Sequence, residues 1–267
     1  FLSFRGEDTR MTFIDHLYTA LEHAGIRTFR DDKELERGEN IALELQKAIQ
    51  ESRISIVVFS NDYASSRWCL DELLMILERK KTVGHIILPI FYHVDPSQVR
   101  KQSGSFAKAF ARHEERFEAE TDERKEEEMA KVERWKAALR EVADLAGMVL
   151  EDGHESKFVQ KIVKEIGKRL NRTILSVGLY PIGIDSRVKD INLWLHDGST
   201  DVGVVTICGM GGIGKTTIAK AAYNLNYDRF EGSSFLANIR EISEQPNGLI
   251  CLQRQLLSDI LKGKKEK

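Results

Sequence analysis

No apolar run in the chain approaches the ~20 residues that a membrane-spanning helix needs, so no membrane span is expected. Cysteine is scarce: Cys69, Cys208 and Cys251 are odd in number and share no metal-ligand spacing. That excludes a cysteine zinc site, and a reducing, intracellular setting is the simplest reading. Charge of one sign is missing too. The 40 basic and 42 acidic residues of the 267-residue chain nearly cancel, so no global field favours nucleic acid or a membrane surface. There is no internal repeat and no low-complexity linker. What is present, 42% hydrophobic and 31% charged residues, describes a soluble globular protein with room for about two domains. The first residue is Phe1, and Phe1–Phe4 reads as a strand already under way, so both ends are expected to be truncations.

Residues 209–216 read Gly-Met-Gly-Gly-Ile-Gly-Lys-Thr, the pattern G-x-x-x-x-G-K-[ST]. A chance match in a chain of this length is on the order of 1%. The loop lies between a β-branched run, Val202 to Cys208, which reads as a strand with Cys208 in its core, and a helical stretch, Thr217 to Asn226. Glycines at 209, 211, 212 and 214 let the backbone wrap a phosphate, amides at the helix start point at it, and Lys215 adds charge. So near the C-terminus, this reads as the start of a nucleotide-binding domain, and the chain's own activity is sought upstream.

The first 150 residues alternate strand and helix signals. Phe1–Phe4, Ile26–Phe29, Ile54–Phe59 and Ile86–Tyr92 read as strands. The unbroken apolar run at Ile54–Phe59 suits a strand buried on both faces. Helical stripes lie at Thr12–Ala24, stopped by Gly25, at Ile41–Ile49 and at Leu70–Leu77. Such alternation predicts a parallel sheet with helices on both faces, and places function in loops at the carboxyl ends of strands. A mixed-charge run at 112–136 reads as a solvated helix, with a packed helix from Val132 to Val149 and another at Phe158–Leu170.

Several segments resemble one family. Phe1-Leu2-Ser3-Phe4-Arg5-Gly6-Glu7-Asp8-Thr9-Arg10, Phe29-Arg30-Asp31-Asp32, Ser66-Arg67-Trp68-Cys69-Leu70-Asp71-Glu72-Leu73 and Phe91-Tyr92-His93-Val94-Asp95-Pro96-Ser97 resemble the TIR (Toll/interleukin-1 receptor) domain of plant immune receptors. Gly183-Ile184-Asp185-Ser186-Arg187, the phosphate loop and Phe235-Leu236-Ala237-Asn238-Ile239-Arg240-Glu241 are similar to the NB-ARC module that follows TIR in these receptors. The resemblance implies an α/β chain. A flavodoxin-like TIR domain with a parallel sheet occupies 1–150, a helical linker 151–179, and the truncated start of a P-loop NB-ARC domain 180–267. The hydrophobic-Asp-Asp strand end that would hold Mg²⁺ is absent, as is any leucine-rich period. Weak or undetectable ATP hydrolysis is therefore expected.

The resemblance also implies NAD⁺ as substrate, cleaved at the nicotinamide–ribose bond with Glu72 as the catalytic carboxylate. Nicotinamide leaves as a neutral molecule from a cationic pyridinium, so no general acid is required, unlike the usual two-carboxylate glycosidase. One carboxylate near the ribose suffices to stabilise an oxocarbenium-like transition state. Read without the family, Glu72 is an acidic residue favoured by a helix dipole in a first turn beside Asp71. Trp68, just before that helix, lines the pocket or is a partly buried core aromatic. Arg5 and Gly6 follow the first strand, where they meet a diphosphate or ribose, or form a turn with a surface ion pair. The loop Arg30–Asn40 is a lid completed by a neighbouring subunit, or an ordinary loop. Asp15-His16 matches a position used in homotypic TIR–TIR contact, with Asp where relatives carry Ser, so a homo-oligomer on activation is expected. His93 reads as structural. In the full receptor, the glycines named above with Lys215, Thr216 and Thr217 would bind ADP or ATP, and Thr216 the Mg²⁺. A cytoplasmic or nucleo-cytoplasmic immune receptor is the leading reading. A non-catalytic TIR–TIR adaptor and a nucleotide switch are the alternatives, and no residues point directly to nucleic acid.

Overall fold

The computed structural model describes residues 1–30, 39–118, 122–150, 154–170, 172–178, 182–195 and 202–261. Four strands, β1 (Leu2–Ser3), β2 (Ile54–Phe59), β3 (Ile86–Phe91) and β4 (Met148–Val149), form one sheet in that order, every pair parallel. Leu2 registers with Ile56, and β2 pairs with β3 along its full length from Ile54↔Ile86 to Phe59↔Phe91. These central strands are apolar at nearly every position because both faces are covered. Val57, Phe59, Ile87 and Phe91 join the main hydrophobic cluster on one face, while Ile56, Val58, Leu88 and Ile90 are equally buried on the other.

Helices α1 (Gly6–Thr9) and α2 (Asp15–His23) flank a wider helical turn at Arg10–Ile14. After α3 (Glu39–Glu51) and β2 comes α4 (Arg67–Val83), whose start is fixed by Ser66: its hydroxyl accepts the Cys69 N–H at 3.3 Å. Its end is fixed by Gly84, left-handed at φ 71°, with the N–H returning to the Lys80 carbonyl. Helix α5 (Pro96–Lys101) opens with Asp95 capping Ser97 N–H at 2.7 Å and proline in the first turn. Helices α6 (Ser105–Glu118) and α7 (Asp122–Ala143) pack against each other, burying Phe106, Phe110, Trp135 and Leu139. Helix α8 (Glu155–Arg169) follows β4.

Four expectations change. Residues 26–29 are not a strand: the segment runs beside β1 with one ladder-like bond, Leu2 N–H to the Phe29 carbonyl at 3.0 Å, and Phe29 stacks on Phe1. Residues 148–149, read as helix, are β4, since α7 stops at Ala143. A Cβ at Gly147 would come 2.7 Å from the Pro89 carbonyl, so the chain reaches the sheet there only as glycine. Helix α4 begins before Trp68, which puts Trp68 inside its first turn and Glu72 beyond it, so the helix-dipole reading of Glu72 fails. Residues 202–208 form no strand; Val202 and Val204 are 98% and 86% exposed and Cys208 is exposed instead of core. Propensity alone does not make a strand: none of the described backbone pairs with this segment.

The chain divides into two compact units: Phe1–Tyr18 with Thr28–Ile162, and Thr19–Arg27 with Val163–Lys267. The second unit holds α9 (Ile184–Leu195), α10 (Lys215–Asn226), α11 (Ile239–Ser243) and α12 (Gly248–Leu261). Its most concentrated polar feature is buried Arg172. The guanidinium donates to the Gly25 carbonyl at 2.8 Å, to Asp228 at 3.1 Å and to the Asn224 carbonyl, and it lies 4.9 Å from the Tyr227 ring centroid. Burial lowers its pKa, and Asp228 opposes that most strongly. The Asn224 amide completes the knot by bonding both backbone groups of Leu175.

Candidate active site

A cavity of about 320 Å³ opens in the first unit beyond the carboxyl ends of β1 and β2. This is where a doubly wound sheet places its crevice. Phe4, Arg5 and Gly6 reach it from β1, Ser65 and Ser66 from the segment after β2, Trp68 and Glu72 from the first turns of α4, and Arg116 from α6. The structure therefore brings together Glu72, Arg5, Gly6 and Trp68, residues from two segments far apart in sequence.

Glu72 is only 4% exposed, yet it lines the cavity. Its Oε2 accepts a hydrogen bond from Ser3 Oγ at 2.7 Å. Ser3 Oγ lies 3.0 Å from the Tyr63 hydroxyl, which donates to the Cys69 carbonyl at 3.1 Å. Burial, before the charges of Cys69 and Glu72, raises the Tyr63 pKa well above the usual phenol value. Asp71, the neighbouring carboxylate, faces elsewhere: it accepts from Lys131 Nζ and the Trp135 indole, both at 2.9 Å, and ties α4 to α7.

Arg5 is held in place by its own surroundings. It bonds Ser65 Oγ and Glu7, and its Nε lies 3.2 Å from Asp8, which in turn accepts from Ser60 at 2.6 Å. Gly6 does admit a close approach, but by a side chain: a Cβ there would sit 2.8 Å from the Arg10 guanidinium, which lies over Phe4. Trp68 is partly buried against the main core and also lines the cavity, so both readings of it apply. Arg67 pairs with Glu128 at 3.0 Å and covers the Phe117 ring at 4.9 Å.

Sequence reasoning missed Ser3, Tyr63, Arg10, Ser65 and Arg116. Arg116 is on a helix that nothing local connects to the cavity. His113 supports the same region from behind, with Nε2 2.9 Å from the Ala64 carbonyl in the turn that presents Ser65, and burial lowers its pKa. Asp15 and His16 sit away from the cavity, both exposed; Asp15 pairs with Arg30 and His16 Nδ1 contacts Glu155 at 2.8 Å. His93 is exposed with left-handed backbone at φ 52°. Most of the expected lid, 31–38, lies outside the described residues.

In the second unit the phosphate-loop residues do come together. Gly212 and Gly214 are left-handed at φ 75° and 96°, curling the backbone into the start of α10. Among the described residues no side chain caps that helix start. Lys215 Nζ folds back onto the carbonyls of Gly209 and Met210 at 2.9 and 2.7 Å, while Thr216 is exposed beside it and Thr217 partly buried. A glycine cradle, an uncapped helix start and an ammonium on the loop fit a bound phosphate group.

A parallel sheet with a buried glutamate under an arginine-lined cavity at the ends of β1 and β2, followed in the chain by a glycine-rich loop that opens a helix, is the arrangement of a TIR-type domain with the start of an NB-ARC segment after it. The TIR domain family model matches residues 1–179 and the NB-ARC domain model residues 184–246. The chain is 55% identical over 264 residues to disease resistance protein RPV1 of Vitis rotundifolia, covering 98% of this chain and 18% of that protein. It is 44% identical over 271 residues to TMV resistance protein N of Nicotiana glutinosa, covering 99% and 23%. Among solved structures, the TIR domains of the activated Roq1 resistosome match at 52% identity and a TM-score of 0.55, covering 62% of this chain and 96% of that one. The chain belongs to the TIR–NB-ARC family of plant disease-resistance proteins. It spans about a fifth of the length of these relatives. No helix among the described residues is long and apolar enough to cross a membrane.

Proposed function

We propose that the TIR portion cleaves NAD⁺ at the nicotinamide–ribose bond, water taking the ribose carbon and nicotinamide leaving neutral. The observation that carries this reading is Glu72: a buried carboxylate on the wall of a cavity that Arg5, Arg10, Arg67 and Arg116 also line. A substrate that is cationic at the scissile end and anionic at its diphosphate matches that polarity. As C–N cleavage proceeds, positive charge moves onto the ribose, and a carboxylate fixed beforehand stabilises it without reorganising. Trp68 on the same wall offers a flat surface for the departing ring.

Incubation of the 267-residue chain at high concentration with NAD⁺, following free nicotinamide, tests the reading. Glu72→Ala should reduce release to background while the circular dichroism spectrum is unchanged. Turnover equal to the parent's, at matched folding, would remove Glu72 from the mechanism.

A second role rests on the phosphate loop. We infer that Gly209, Gly211, Gly212, Gly214, Lys215, Thr216 and Thr217 hold ADP or ATP in the longer receptor, with Thr216 offering its hydroxyl to Mg²⁺, and that this nucleotide governs assembly. Lys215 would exchange two loop carbonyls for phosphate oxygens. The Roq1 assembly supports the further proposal that these TIR domains act as a homo-oligomer, the exposed Asp15-His16 helix being one contact surface, in the cytoplasm or nucleus.

A further inference from the structure

Behind Glu72 three oxygen-bearing groups share two hydroxyl protons. Ser3 Oγ is 2.7 Å from Glu72 Oε2 and 3.0 Å from the Tyr63 hydroxyl, and that hydroxyl is 3.1 Å from the Cys69 carbonyl. Ser3 and Tyr63 are both fully buried, so no water competes for these bonds. A buried serine on the last residue of an otherwise apolar strand costs free energy unless its hydroxyl is matched.

The row has two arrangements. With Glu72 ionised, Ser3 donates to the carboxylate at 2.7 Å, and the single Tyr63 proton is shared between Ser3 and the Cys69 carbonyl, 3.0 and 3.1 Å away. With Glu72 protonated, the first two bonds reverse, the carboxyl donating to Ser3 and Ser3 to Tyr63, while Tyr63 donates to the Cys69 carbonyl. Each arrangement satisfies every donor, but only the first puts a donor on Oε2, and donation to the charged form favours it. The strand also fixes the direction of the bond, because Leu2 and Ser3 are locked in register with Ile56 and Val57.

We propose that Ser3, backed by Tyr63, is the positioning residue of this site: it holds Glu72 Oε2 from beneath, orients the carboxylate toward the cavity and favours its ionised form. The inference rests on the reading of Glu72 as the catalytic carboxylate. Asp71, whose partners are Lys131 and Trp135, takes no part.

Two variants of the full chain test it, Ser3→Ala and Tyr63→Phe, the second deleting only the hydroxyl in case the first perturbs β1. Glu72 is titrated through its ¹³C carboxyl resonance, assigned by its loss in Glu72→Gln, and the pH dependence of kcat is recorded beside it. Ser3→Ala should move the Glu72 midpoint to higher pH and shift the acid limb of kcat with it. It should also lower kcat about tenfold at nearly constant KM, as expected for an interaction used mainly in the transition state. Tyr63→Phe should shift both in the same direction by less. A Glu72 midpoint unmoved in both variants would overturn the inference whatever the activity. A midpoint that moves in a chain that never releases nicotinamide would instead overturn the catalytic reading and leave the hold of Ser3 on Glu72 standing.

Discussion

Asp71 and Glu72 are adjacent in sequence and about 100° apart around α4, and that angle separates their tasks. Asp71 accepts from the indole of Trp135, which is fully buried, so Asp71→Ala strands a buried N–H. That should cost about 1–3 kcal/mol, most of it from the indole, since the partly exposed pair with Lys131 contributes little. Urea denaturation checks it, with Glu72→Gln as the comparison, because glutamine keeps an oxygen for Ser3 and should leave the midpoint nearly in place. Equal losses in the two variants would mean that both carboxylates are structural. Glu72 was legible in the sequence only through the family's Trp-Cys-Leu-Asp-Glu segment; helical periodicity would have left it a surface acid. Ser3, Tyr63 and Arg116 were not legible, because their roles come from contacts across 44 to 69 residues of chain that no local pattern encodes.

At the scale of elements, β2 and β3 were legible because strands buried on both faces are written as continuous apolar runs. Two elements show the opposite. β4 is two residues long and exists because Phe91 and Ile90 receive it, and residues 202–208 have the composition of a strand without backbone to pair with. The turn ending α2 carries a stricter demand. Gly25 has φ 69°, and a Cβ there would collide with the Asn224 carbonyl, the group that also accepts from Arg172. Gly25→Ala should therefore destabilise the second unit by at least about 2 kcal/mol, combining left-handed strain with loss of the Arg172 knot. Hydrogen exchange should show it as faster exchange of the α10 amides, and unchanged exchange there would disprove the knot's importance.

For the molecule as a whole, a histidine far from the cavity should carry a distinct share of the acid stability. His85 is buried just before β3 with Nε2 2.8 Å from Ser55 Oγ. Burial, then the Arg79 guanidinium, pushes its pKa down to about 4. The folded protein thus resists a proton that the unfolded chain accepts near pH 6.5, so stability is intact above 6.5 and declines as pH falls toward 4. The loss from pH 7 to pH 5 should be roughly 2 kcal/mol, and a His85→Gln chain should lack that part of the slope. Parallel acid slopes in the two proteins would refute it. The meeting of Pro89 with Gly147 bears on the molecule in another way. Tyr92 N–H points toward β2, donating to the Phe59 carbonyl, so the alternation of the strand turns position 89 toward the β4 side. Proline has no N–H to offer there, and β4 meets the strand only beyond it, at Ile90 and Phe91. A foreign strand arriving along that margin finds a gap in the donor row and cannot zip up against β3. A parallel sheet this apolar is an obvious template for aggregation, and one imino acid interrupts the donor row on the β4 side of β3.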